Sequence, residues 1–217
     1  MNRIINILLA LVCAVNVMAQ GRRHADDDAH KQQIPLLQGI YVGVDALGAG
    51  MGAFSSQGDY QGFVTAKIKG SYLPVVEVGY GLSDKHDDDA FTAYKSKGMF
   101  GRIGIDYNML NNKLDEYRLT IGARYGISKF NSDTTLPTDS LHTDFTTTSE
   151  KCTVQWIELV AGVDAKVWGP LHMGWSVRYR RRLSVSDFIH SPQYAPGFGN
   201  AENLVNIMAL YTISVRF

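Results

Sequence analysis

Leu204-Val205-Asn206-Ile207-Met208-Ala209-Leu210-Tyr211-Thr212-Ile213-Ser214-Val215-Arg216-Phe217 is the stretch from which the rest of the chain is read. Val205, Ile207, Ala209, Tyr211, Ile213, Val215 and Phe217 occupy every second position, and all are apolar. The positions between them hold Asn206, Thr212, Ser214 and Arg216, with Leu204, Met208 and Leu210 mixed in. Successive side chains of an extended chain point to opposite faces, so this period describes a strand with one wholly apolar side.

The same period recurs upstream. It predicts strands over 39–47, 60–69, 72–82, 98–108, 117–127, 152–167 and 171–182, ahead of 204–217. The span 117–127 is the cleanest. Tyr117, Leu119, Ile121, Ala123, Tyr125 and Ile127 alternate there with Arg118, Thr120, Gly122, Arg124 and Gly126. Pro74 has no N–H to give to a ladder and is expected at a rim or a bulge. No segment past the N-terminus shows helical periodicity. The connections alternate in length. Those at 70–71, 109–116 and 168–170 are short, whereas 48–59, 83–97, 128–151 and 183–203 are long.

Alternation does not say which face is inside, because a soluble lipocalin-like barrel has the same period with apolar residues inward. Three observations decide for apolar residues outward. The long connections all fall at one end, which is the arrangement of outer-membrane barrels. The polar face carries charges of both signs, Asp45, Glu77, Arg102, Asp106, Arg118, Arg124, Glu158, Asp164, Lys166, Arg178 and Arg180, interleaved with glycine. An eight-strand barrel has an interior just wide enough for side chains, where such charges can pair. The third observation is an export signal.

That signal occupies residues 1–19. Arg3 supplies the positive start, Ile4 to Val12 with Ala14 and Val15 the apolar core, and Val17-Met18-Ala19 the cleavage site before Gln20. Val12 is not the small residue that would make Cys13 a lipoprotein cysteine. Cleavage removes Cys13 and leaves Cys152 alone, so the mature fold is expected to hold without an internal disulfide. Residues 20–38 are polar and charge-mixed and read as a flexible periplasmic leader. The barrel is expected over 39–217.

Composition agrees. Lys+Arg and Asp+Glu both number 21, so no net charge points to nucleic acid. Forty-five per cent of residues are apolar, yet past the N-terminus there is no run of about 18 apolar residues such as a membrane helix needs. Barrel strands escape hydropathy because every second residue is polar.

From Gly39 to Phe217 the chain resembles the small eight-stranded outer-membrane β-barrel proteins, the OmpA/OmpX-like class, and also outer-membrane barrel families of Bacteroidetes-type bacteria. Tyr211-x-Ile213-x-Val215-x-Phe217 is similar to the C-terminal signal that the barrel-assembly machinery reads in such proteins. The resemblance implies an eight-stranded antiparallel transmembrane β-barrel in the outer membrane of a Gram-negative cell, with short periplasmic turns and long extracellular loops. It transfers a location and not a chemistry.

Candidate chemistry is thin. His24-Ala25-Asp26-Asp27-Asp28-Ala29-His30 and Lys85-His86-Asp87-Asp88-Asp89 combine carboxylates with histidine but lack the order of a Ca²⁺ loop, so they read as solvated acidic segments. No metal or cofactor is expected. In Val177-Arg178-Tyr179-Arg180-Arg181-Arg182, parity sends Arg178, Arg180 and Arg182 inward and Arg181 outward. Arg181, beside Tyr179, is the candidate contact with lipopolysaccharide phosphate, against plain snorkelling at the rim. His142, among Thr138-Asp139-Ser140 and Thr143-Asp144, and His190-Ser191-Pro192 do not make an oriented triad, so no enzyme is expected. A lipid A- or phospholipid-modifying enzyme and a narrow pore are the alternatives. The preferred expectation is a structural or surface-interaction barrel. Its partners are outer-membrane lipid and lipopolysaccharide, the assembly machinery, and an extracellular partner of unspecified kind. Phe91-Thr92-Ala93-Tyr94 and Tyr194-Ala195-Pro196-Gly197-Phe198 either contribute to that contact or pack over the barrel mouth.

Overall fold

The computed structural model describes residues 35–87, 92–110, 116–137, 145–186 and 193–217. The predicted export signal and the leader as far as residue 34 lie outside the described residues, as do Asp88, Asp89, Phe91, the segment 138–144 with His142, and His190-Ser191-Pro192.

Eight antiparallel strands close on themselves: β1 (Leu37–Asp45), β2 (Gln57–Ile68), β3 (Tyr72–Asp87), β4 (Thr92–Asn108), β5 (Tyr117–Pro137), β6 (Phe145–Trp168), β7 (Leu171–Val185) and β10 (Val205–Arg216). Between β7 and β10 the two-residue strands β8 (Tyr194–Ala195) and β9 (Gly199–Asn200) pair with each other. The opening stretch is the closing strand. β10 lies between β7 and β1, with Val42 opposite Val215 and Asp45 opposite Thr212. Phe217 N–H donates to the Ile40 carbonyl (2.8 Å) and Ile40 N–H to the Phe217 carbonyl (3.1 Å).

The strands are staggered. Val42, Val64, Val76, Ile103, Tyr125, Ile157, Arg181 and Val205 are successive cross-strand partners around the wall. The path begins low on β1 and reaches β10 at Val205, while Val42 itself pairs with Val215 near the other end of β10. Such a stagger tilts the strands by about 35–45° and sets the width of the barrel. Every member of that path except Arg181 is apolar or aromatic, and their side chains face outward. Val42, Val64, Val76, Val78, Ile103, Ile105, Ile121, Leu159, Val163, Val177 and Ile207 are all exposed, while Glu77, Arg102, Glu158, Arg178 and Arg180 are buried. This inverts the usual sorting of a globular protein.

Turns at one end are tight. The β6–β7 turn places Gly169 at φ +53°, and the β2–β3 turn places Lys69 and Gly70 at φ +47° and +69°. Pro74 sits near this end, where the β2–β3 ladder skips from Thr65–Val75 to Ile68–Tyr72, so its missing N–H breaks no bond.

Three expectations are corrected at the other end. Strand 1 does not run to residue 47. It stops at Asp45, and helix α1 (Ala46–Phe54) follows, although no helical segment was expected. ALGAGMGAF is apolar or glycine throughout, so it has no amphipathic period to read. Its start is fixed by Asp45, whose carboxylate accepts from Leu47 N–H at 3.1 Å. Second, the connections 83–97 and 128–151 are mostly strand. β3 and β4 pair out to Asp87–Thr92, and β5 and β6 out to Pro137–Phe145. Most residues of these extensions are polar, as in Thr146-Thr147-Thr148, so the apolar alternation fades while the strand continues. Third, the segment 193–201 folds back into the barrel.

Candidate functional site

Register brings the inward charges together. Glu77 of β3 lies directly opposite Arg102 of β4, Arg124 of β5 opposite Glu158 of β6, and Glu158 opposite Arg180 of β7. Glu77 accepts from Arg102 Nη1 at 2.8 Å and from Arg178 Nη1 and Nη2 at 2.7 and 2.9 Å, and it also contacts Arg124 Nη1. Glu158 has Arg102 Nε at 2.9 Å, Arg180 Nε at 3.0 Å and Arg178 Nη1 at 3.4 Å, and accepts from Trp156 Nε1 at 2.7 Å. Arg124 Nη2 also reaches Asp106 at 2.8 Å. All the side chains of this layer are buried except at the edge near Asp106. Three carboxylates, Glu77, Glu158 and Asp106, thus serve four guanidinium groups. Removing a charge from water costs several kcal/mol, which only close pairing offsets.

Below this layer, toward the tight turns, Arg118 of β5 donates to Asp164 Oδ1 through Nη2 (2.5 Å) and Nε (3.1 Å). His172 Nδ1 is 3.0 Å from the same oxygen. Tyr41 closes the group, its ring edge-on to His172 at 5.1 Å and under the Arg118 guanidinium at 3.9 Å. Between the two layers lies a cavity of about 90 Å³, lined by Glu77, Asp106, Arg118, Arg124 and Arg178 together with Leu73, Val75, Val160 and other residues. That is room for a few water molecules.

Above the ion-pair layer the lumen is filled by an inner strap, 193–201. Tyr194, Ala195, Phe198 and Ala201 are buried. Ala195, Phe198 and Ala201 pack with Phe100, Phe130, Cys152, Val154 and Trp156 from the strands. Polar anchors hold the strap's backbone. Asp59 accepts from Tyr194 Oη (2.6 Å) and Gly197 N–H (3.2 Å). Ser96 Oγ (3.1 Å) and Tyr94 Oη (3.0 Å) donate to the Tyr194 carbonyl, and Tyr94 Oη accepts from Tyr194 N–H (3.1 Å). Arg102 Nη2 donates to the Gly197 carbonyl (2.6 Å), Arg180 Nη1 to the Phe198 carbonyl (3.3 Å), and Arg182 to that of Ala201. Gly197 has φ +75° with its α-carbon against the Phe100 ring, so a side chain there meets both backbone strain and a clash. Burial and the Asp59 carboxylate push the Tyr194 phenol above its usual range. Replacing Asp59 by Ala is expected to release the strap, read as faster hydrogen exchange at the Gly197 and Phe198 amides. Unchanged protection would make Asp59 incidental.

The remaining sequence candidates fall as follows. Asp45 does not join the ion-pair layer directly. It caps α1 and accepts from Gln61 Nε2 (3.2 Å), whose Oε1 accepts from Arg102 (2.5 Å). Lys166 pairs with exposed Glu116 at the turn end. Tyr179 and Arg181 are exposed on the outer wall of β7. Tyr211, Ile213, Val215 and Phe217 line the outward side of the closing strand's end. Tyr211 packs on Trp175 at 4.6 Å, and Phe217 is exposed. Of Phe91-Thr92-Ala93-Tyr94, Tyr94 is inside, against the strap. Among the described residues no cluster of His, Cys, Asp or Glu is arranged to hold a metal ion.

Sequence reading missed Asp59, Tyr94, Ser96, Phe100 and Trp156 as strap partners. A signal was present. Cys152, Val154 and Trp156 share the parity of Glu158, so apolar side chains on the charged face implied something apolar inside the mouth to meet them.

Fold and lumen together define a class: a closed eight-stranded antiparallel barrel, apolar outside, with a charged and internally strapped core. A family model described as a domain of unknown function, DUF6048, matches residues 1–216, and the chain belongs to that family. No curated protein matches it.

Proposed function

We propose that this chain is an outer-membrane β-barrel protein, akin to the OmpA/OmpX-like class, with a structural or surface-interaction role. The observation that carries the reading is the apolar exterior around a charged interior, since no aqueous solvent favours that sorting. A closed barrel also leaves no unpaired backbone edge to face hydrocarbon. In this reading the tight turns face the periplasm, and the β3–β4 and β5–β6 extensions stand outside the cell, where they are available to an extracellular partner. Tyr179 and Arg181 lie at the level of lipopolysaccharide, an aromatic beside an arginine suited to phosphate. Tyr211, Ile213, Val215 and Phe217 would be read by the barrel-assembly machinery. The strap and the ion-pair layer both cross the lumen, which favours a non-conducting barrel over a pore.

The topology is tested with a protease site inserted in 138–144 and another after Gly169. The first is expected to be cut in intact cells, and the second only once the outer membrane is permeabilised. Protection of the first in intact cells, with cutting after permeabilisation, would reverse the assigned orientation.

A further inference from the structure

β1 is too short for its neighbours. Its pairing with β2 ends at Val44–Gly62 and with β10 at Asp45–Thr212, yet β2 runs on to Gln57 and β10 to Val205. Above Asp45, therefore, no strand joins β2 to β10. Helix α1 occupies that place and packs against both. It fits closely. A side chain at Gly52 would strike the outward-facing Tyr60 ring, and one at Gly58 of β2 would strike the Gly52 backbone. Asp45 sits at the base of the gap. Its carboxylate accepts from Leu47 N–H at the helix start (3.1 Å) and from Gln61 Nε2 of β2 (3.2 Å).

The helix is unsuited to water. It has nine residues, carries no charge, and contains glycine at 48, 50 and 52. Short helices are marginal in water, and glycine is the poorest helix former after proline. None of its residues is buried by the protein. Phe54 is 95% exposed and Met51 55%. These side chains add to the outward apolar surface formed by Val44, Tyr60 and Ile207, all exposed. Immediately beyond Phe54 the sequence turns polar at Ser55-Ser56-Gln57.

We propose that α1 is a lipid-embedded segment of the barrel wall, with Met51 and Phe54 among the acyl chains just beneath the headgroups. The inference rests on the outer-membrane reading and adds to it a wall that is helical where one strand is missing. A helix satisfies the middle of its own backbone, Asp45 caps its start, and its end lies beside the polar Ser55-Ser56-Gln57, so hydrocarbon accepts it at a place where no strand is available. The apolar neighbours on β2 and β10 set its depth, and Ser55-Ser56-Gln57 marks the headgroup level.

The test uses the full chain with Cys13→Ala, folded into phosphatidylcholine vesicles. Cys152 is only 2% exposed and stays unlabelled, with the parent protein as blank. Phe54→Cys, Met51→Cys, Ile103→Cys and Ser149→Cys each carry an environment-sensitive fluorophore. Lipids bearing a nitroxide near the headgroup or near the acyl terminus act as quenchers. The labels at 51 and 54 are expected to lose most of their fluorescence to the shallow nitroxide. The label at 103 should respond to the deep one, and that at 149 to neither. If 103 is quenched while 51 and 54 are not, the wall-helix inference is overturned and the membrane reading stands. If 103 is also unquenched, the membrane reading itself fails and takes this one with it.

Discussion

Glu77→Gln is expected to prevent the barrel from holding its folded form. Glu77 is the shared partner of Arg102, Arg124 and Arg178, and all four side chains are buried. Glutamine keeps the length and removes the charge, so four buried guanidinium groups are left with Glu158 and Asp106 alone. Breaking one buried pair by deleting a partner costs about 3–5 kcal/mol. A domain of this kind has only about 5–15 kcal/mol in total. The measurement is urea unfolding of the protein in detergent micelles, and the expected result is no folded baseline or a large drop in midpoint. Two companions separate charge from shape. Glu116→Gln removes the partner of Lys166 at an exposed turn and should change little. Adding Arg178→Gln to Glu77→Gln removes the cation that makes two short bonds to Glu77 and should restore part of the loss, the coupling expected of neighbours in one network. A Glu77→Gln protein with the parent midpoint would mean that the layer is not held together by charge.

Ala123→Arg is expected to block assembly, whereas Thr120→Arg is tolerated far better. Ala123 lies on the outer wall between Ile105 and Leu159, both exposed and apolar. An arginine in the middle of a lipid-facing wall costs about 2–4 kcal/mol, falling to about 0–1 near the interfaces. Thr120 points the other way, into the cavity lined by charged side chains of both signs, so an arginine there meets carboxylates and water as well as other arginines and avoids lipid. The readout is the fraction of chain that migrates faster on a gel unheated than boiled, the behaviour of a folded barrel that resists detergent. Equal fractions for the two variants would reverse the assignment of lipid and lumen faces. Identical migration of the parent, heated or not, would count against a membrane barrel altogether.

The barrel was legible because one physical rule writes it. A wall with different solvents on its two sides must alternate, and Tyr117 to Ile127 alternates without a fault. Glu77, Arg102, Arg124, Glu158 and Arg178 were legible as inward residues for the same reason, though their partners were not. Pairing depends on register, which parity alone leaves open by two residues at a time. The rule fails wherever the two sides become alike. At Thr146-Thr147-Thr148 both faces meet water, so a strand looked like a loop. In Ala46–Phe54 every residue is small or apolar, so a helix left no period. The strap was hidden for a different reason. Tyr194 to Ala201 owes its position to side chains far away in sequence, Asp59, Tyr94, Phe100 and Arg102, and no local pattern reports such contacts.

The strap's place in the chain also bears on the order in which the molecule can form. It precedes β10, so Arg102 and Arg180 on earlier strands wait for the backbone carbonyls of Gly197 and Phe198. The seam between β1 and β10 likewise joins residues nearly the whole chain apart. Both interior completion and ring closure therefore fall to the last segment delivered. A chain whose last segment is not yet in place has an unfilled interior within and an unsealed edge without. Non-local closure of this kind is slow, and here it gives assembly a single late commitment step in place of a gradual growth of stability from one hairpin to the next.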